Sequence, residues 1–186
     1  MEDNLIMKTL DLGYNSKARV WINESPGIIY PVIEVITQDI QTELTEKFDY
    51  KQATIEMMIA ASPRICYGLL GVKFIPNSTG KLSLEILVSP ENEALFEESL
   101  AKGFDTVRIG CTKEYSQSVI KGVRQSLNHQ VIQGLGSGVI CFDVAAHGEI
   151  SSSNKLFCHL ATTLINLLLL NTVSNEKEIT ELVKTP

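Results

Sequence analysis

The sequence predicts an α+β domain, and three observations carry that expectation. Runs at 82–88 (LSLEILV) and 138–146 (GVICFDVAA) have the length and the alternating or β-branched apolar content of strands. Helix start signals stand ahead of two longer stretches, Thr112 before 113–128 and Ser151 to Ser153 before 154–171. Finally, 186 residues with 44% hydrophobic and 20% charged side chains suit a single buried core and argue against disorder outside the ends.

The remaining elements follow in chain order. Val20 and Ile22 alternate within 17–24, which reads as a strand opening onto the turn Ser25-Pro26-Gly27. Ile33, Ile36, Ile40 and Leu44 recur at three- and four-residue steps, predicting an amphipathic helix over 30–48, although 28–36 could begin as a strand. The run IEMMIAA at 55–61 fits either a helix or a strand, and Ser62-Pro63 ends it. Segments 65–75 and 82–88 read as two strands with a hairpin-like connection through the turn at 77–80. Ser89-Pro90, with Glu91 and Glu93 in the first turn and Gly103 after Lys102, predicts a helix over 90–102. A strand at 104–111 precedes helix 113–128, strand 138–146 and the last helix, and the polar tail from Val173 is expected to fray or form a short helix.

Charge and composition exclude several functions. A net charge of −6 gives no basic groove for duplex DNA, and Lys113, Lys121 and Arg124 read as a solvated helix face. The N-terminus carries Glu2 and Asp3 where a secretory signal would be basic. Thr162, Thr163 and Asn166 interrupt the apolar stretch at 160–170, which is far short of the roughly 20 residues of a bilayer span, so no membrane partner is expected. Cys66, Cys111, Cys141 and Cys158 never approach a C-x-x-C spacing and lie in apolar segments, as expected of buried thiols in a cytoplasmic protein without a metal.

No motif supplies catalytic machinery or a cofactor site, and the expectation is a non-enzyme. Gly134-Leu135-Gly136-Ser137-Gly138 offers bare amides to an anion, and small-molecule kinases of the homoserine type use a similar Gly-Leu-x-Ser loop. A phosphate loop must open a helix, however, whereas here a strand follows, so a turn is the better reading. There is no G-x-x-x-x-G-K-[ST] and no G-x-S-x-G, so grouping Ser137, Asp143 and His147 as a triad has no positioning motif behind it. Cys158 and His159 point about 100° apart on a helix, a poor metal pair. His147 and Glu149, at the end of a buried strand, are the best polar pair for recognition. Gly122 inside a helix costs about 1 kcal/mol relative to alanine if exposed, so either another element approaches it closely or the position is neutral.

Taken in order, Glu114-Tyr115, Val119, Lys121-Gly122-Val123, Leu127, the strand at 139–146, Ser152-Ser153, Phe157 and Ala161 resemble the fourth domain of translation elongation factor G. The resemblance covers 114–161 and extends more weakly to 82–90 and 104–109. It implies a ribosomal protein S5 domain 2-like fold, a β-β-β-α-β-α sandwich with both helices on one face of a mixed sheet. On that scheme 1–60 is an N-terminal extension, 61–172 the related domain with the helix at 90–102 inserted, and 173–186 a tail. The family's tip carries a histidine just before a D-S-S run. Here Gly148 stands at the histidine position and Ser151 at the aspartate, with His147 one place off.

The resemblance implies contact with the ribosome or structured RNA through loops 77–80, 134–138 and 147–153, with Gly134, Gly136, Ser137, His147, Gly148, Glu149, Ser151 and Ser152 as candidate contacts. The alternative is a protein-interaction or self-associating module that keeps the scaffold, marked by an exposed apolar patch in segment 28–60. A small-molecule kinase is the third reading and rests on the glycine segment.

Overall fold

The N-terminal strands form a hairpin because its two central turn residues, Tyr14 and Asn15, take positive φ of 50° and 61°, the twist a tight antiparallel turn needs. In the computed structural model, which describes residues 7–47, 49–91, 93–170 and 176–184, β1 (Met7–Gly13) and β2 (Ser16–Ile22) pair from Met7↔Trp21 to Gly13↔Ser16. β3 (Glu34–Gln41), β4 (Lys51–Ala61), β5 (Arg64–Pro76), β6 (Leu82–Val88), β7 (Val107–Ile109) and β8 (Gly138–Gly148) complete a mixed sheet in the order β1-β2-β4-β5-β8-β6-β3, with β7 also on β8. Four helices accompany it among the described residues: α1 (Lys113–Ser126), α2 (His129–Leu135), α3 (Asn154–Leu169) and α4 (Glu176–Lys184). The architecture is α+β, and the first 60 residues, read from sequence as an extension, contribute β1, β2 and β3 and most of β4 to the same sheet.

α3 lies over β4 and β5, and α1 packs along α3. Leu156, Phe157, Leu160 and Leu164 of α3 join Ile55, Met57, Leu70 and Phe142 of the sheet in one buried core, each fully buried large side chain contributing about 1.5–3 kcal/mol. Close contact requires small residues. A Cβ on Gly68 would stand 3.0 Å from Leu160 Cδ1, and one on Gly122 would stand 2.2 Å from the Cys158 carbonyl oxygen and 2.9 Å from Ala161 Cβ. Ser118, Gly122 and Ser126 therefore line the α1 face against α3, where the Ser126 hydroxyl donates to Gly122 O (2.8 Å) and the Ser118 hydroxyl to Asn154 Oδ1 (3.0 Å).

The second face of the sheet is closed by the segment running from Ala94 to Thr106. Its first residues run beside β7, with Phe96 N donating to Val107 O (2.8 Å) and Ile109 N donating to Ala94 O (2.9 Å), and 97–105 then fold into turns in which Lys102 N donates to Ser99 O (3.1 Å) and Phe104 N to Ala101 O (2.9 Å). This face buries a charge. Glu56 is 0% exposed, its Oε1 accepts from Tyr67 Oη (2.9 Å) and Leu100 N (2.7 Å), and Arg19 Nη1 stands 3.2 Å from its Oε2, which has no hydrogen-bond partner. Loss of water around it outweighs those contacts and raises its pKa above the usual carboxylate value.

Several elements differ from the sequence reading. The described residues of the expected 30–48 helix are not helical. Ile36 and Ile40 lie half-buried on one side of β3, because a four-residue step shares a face in a strand as well as in a helix. The 90–102 helix and the inserted helix it implied are absent, since the backbone there is taken up by β7 and by Glu56, and Ser89 Oγ donates to Pro90 O instead of capping. β5 and β6 are not hairpin partners, because β8 lies between them, antiparallel to β5 and parallel to β6. The strand at 104–111 is reduced to β7, and Asn128 caps α2 by accepting from Val131 N (2.9 Å). Residues 55–61 belong to β4, and the tail forms α4. Cys66 and Cys158 are half-buried thiols, unlike the buried Cys111 and Cys141.

Two measurements test this packing. Gly122→Ala should lower stability by about 1–3 kcal/mol in denaturant unfolding, despite its better helix propensity, because the methyl meets the α3 backbone; a gain in stability would show that α1 and α3 do not touch there. Glu56 binds its proton more tightly in the folded chain, so its contribution is fully present below the unfolded value near 4.5 and is lost as pH rises through the raised folded value. Relative to wild type, Glu56→Gln should therefore become progressively more stable as pH rises from 4.5 toward neutrality, and a pH-independent difference would refute the shift.

Candidate functional site

The candidate loops fall at opposite ends of β8. Over its 11 residues a strand rises about 33 Å, so the glycine segment and the 147–153 loop do not form one contact surface. Ser137 and His147 are likewise at different ends, and Asp143 between them is paired with Lys73 Nζ at 2.6 Å, so the three are not a triad.

At the first end the chain leaves α2 through Gly136 at φ 78° and enters β8. Gly136 N donates to Ile132 O (2.9 Å), Ser137 N to Thr45 O (3.1 Å) and Gly138 N to Lys81 O (2.8 Å). Each of these amides is occupied by a protein carbonyl. Ser137, 0% exposed, donates its hydroxyl to Asn77 Oδ1 (2.9 Å), and Lys47 Nζ reaches Gln133 O and Gly134 O at 2.7 and 3.1 Å. The glycine segment ties loop 77–80 and residues 45–47 to the start of β8 and leaves no anion cradle.

At the other end Asp105 organises the loop. Its Oδ2 accepts from Ser151 N (2.9 Å), from Ile150 N (3.2 Å) and from the Ser151 hydroxyl, while Oδ1 accepts from Thr106 N (2.8 Å). Ser152 Oγ accepts from Gly148 N (2.9 Å) and donates to Tyr67 O (2.6 Å). Glu149 pairs with Arg108 Nε at 2.7 Å. Asp105 thus holds this loop from a neighbouring segment. Only its position directly before Thr106, a side chain–backbone turn pattern, could have flagged it in sequence.

His147 is 7% exposed and its Nδ1 lies 3.1 Å from Gly110 O, so Nδ1 carries the donor proton. Burial lowers its pKa from the usual 6.5, which leaves the ring neutral at pH 7. Tyr115 tilts against it with centroids 5.4 Å apart and stacks on Phe157 at 4.3 Å, and Glu114 Oε1 accepts from Asn154 Nδ2 (3.0 Å). The Glu114-Tyr115 pair therefore joins the start of α1 to the start of α3 and to the end of β8. His147, Gly148, Ser151 and Ser152 come together, but facing inward. The side chains presented outward here are Glu149, paired with Arg108, and Ile150 (83% exposed) and Phe104 (64%), beside exposed Arg64.

A third surface lies along the outer edge of β3, which among the described residues pairs only with β6. Ile29 is 85% exposed, Ile33 67% and Val35 49%, with Val32 between them. These are exposed apolar side chains within segment 28–60. Among the described residues no group of three or more His, Cys, Asp or Glu side chains could hold a metal, and no helix is long and apolar enough to cross a membrane. No protein family, curated protein or solved structure matches the chain.

Removing the Asp105 carboxylate leaves two loop amides and a hydroxyl without their acceptor. Asp105→Ala should cost about 1–3 kcal/mol and speed hydrogen exchange at Ile150 and Ser151 while leaving β4 protected. Unchanged exchange at both amides would mean that another group holds the loop.

Proposed function

We propose that the chain is a non-catalytic interaction module on a scaffold like the fourth domain of elongation factor G, and that it associates through the β3 edge with a second copy of itself. The observation that carries this reading is the run of exposed Ile29, Val32, Ile33 and Val35 leading into a strand whose outer edge has no ladder partner among the described residues. An unpaired strand edge carries free N–H and C=O groups, and adjacent apolar side chains add burial, so strand addition across a two-fold axis satisfies both. The order β7, α1, β8, α3, with the short α2 inserted before β8, and the packing of α1 along α3 support the S5 domain 2-like scaffold. The inward-facing His147 and the occupied amides of the glycine segment support an interaction role over catalysis.

In sedimentation velocity at high micromolar concentration, wild type should run as a dimer. Ile33→Glu with Val35→Lys should run as a monomer with unchanged unfolding temperature, both side chains being largely exposed. A monomeric wild type would remove this reading.

Contact with the ribosome or structured RNA is the second reading, favoured by Arg64, Phe104 and Ile150 at one tip, where an aromatic ring and a guanidinium could stack on unpaired bases. Co-sedimentation with ribosomes that is lost in Phe104→Ala supports it. Absence from the ribosomal fraction across several salt concentrations removes it.

A further inference from the structure

The β1–β2 hairpin, the end of β4, the start of β5, α3 and α4 enclose a groove of about 510 Å³, within the range of about 300–1,000 Å³ typical of small-molecule sites. Its walls are apolar, formed by Leu12, Met57, Ile59, Ala60, Leu156 and Val183. Charge at the rim is of one sign. Lys155 and Lys184 line the groove and, among the described residues, no Asp or Glu does, and this in a chain whose net charge is −6. Both lysines are exposed, and neither makes an ion pair or hydrogen bond among the described residues. His159 contributes shape instead of charge: its Nε2 lies 3.3 Å from Val183 O, linking α3 to α4.

We propose that this groove binds a small amphiphilic acid, a medium-chain carboxylate whose alkyl tail lies along the apolar wall and whose head is held by Lys155 and Lys184. The tail satisfies the wall because Met57 and Leu156 are already part of the core and extend that apolar surface to the groove. The head satisfies the rim because the two ammonium groups have no carboxylate partner within the groove. An alkyl ammonium would meet like charge, and inorganic phosphate would leave the apolar wall wet.

The test titrates the full chain with octanoate, decanoate, dodecanoate, dodecyltrimethylammonium and inorganic phosphate, each below its micelle concentration. Affinity should rise with the alkyl chain by about fourfold per methylene, with dodecanoate binding at least tenfold tighter than the ammonium amphiphile or phosphate. Lys155→Glu with Lys184→Glu should lower dodecanoate affinity at least tenfold. Cys66 lines the groove and Cys158 does not, so dodecanoate should slow alkylation of Cys66 while leaving Cys158 unaffected, a readout that needs no variant. Equal binding of both amphiphiles, phosphate binding as tight as dodecanoate, or unslowed Cys66 alkylation would each overturn the proposal.

Discussion

β8 has to be bonded along both edges for the sheet to exist as one body. On one side its ladder with β5 runs from Ala146 to Gly138; on the other, Gly138 to Phe142 meet β6 and Ala146 to Gly148 meet β7. Without it the sheet separates into the β1-β2-β4-β5 meander and the β6-β3 ribbon, and a two-stranded ribbon alone is marginal in water. The sequence of β8 reflects that duty. It is a nearly continuous buried run, and its one acidic side chain, Asp143, has Lys73 beside it on β5.

The loops at the two ends of β8 are in consequence structural joints. Ser137 anchors one end to Asn77 and Lys81, and Asp105 with Ser152 anchors the other to Tyr67 and the 147–152 loop. Polar groups that look like contact residues when read along the chain are turned to each other, as burial requires of hydrogen-bonding groups. What remains for a partner is mostly apolar: the approach to β3, the pair Phe104 and Ile150, and the groove beneath Lys155 and Lys184.

How much of this was legible depended on whether a local signal agreed with its tertiary setting. Thr112 and Ser153 marked the starts of α1 and α3 correctly, and β6 and β8 followed their apolar patterns. Segment 90–102 had a proline, two early glutamates and a terminal glycine, yet Phe96 N bonds to β7, Leu100 N to Glu56 some 44 residues earlier, and Ser99 and Lys102 close turns instead of a helix. β4 was ambiguous because both its faces are buried, which erases the two-residue alternation. For the site, the residues of the 147–152 loop were identified but their direction was not, since direction depended on Asp105, some 45 residues earlier. Gly122 was the reverse case: a helix glycine left open between close packing and neutrality proved to lie against the α3 backbone.

The parallel pairing of β6 with β8 has a kinetic consequence. β6 ends at Val88 and β8 begins at Gly138, so while the chain is being synthesised β5 and β6 wait with open edges until β7, α1 and α2 have emerged. Closing so long a loop before any reward makes the sheet slow to assemble. During that interval β3 and β6 can pair with each other through a shorter connection, leaving the apolar Ile29 to Val35 stretch displayed on an early intermediate. These exposed apolar side chains are thus open to a neighbouring nascent chain before β8 has closed the sheet.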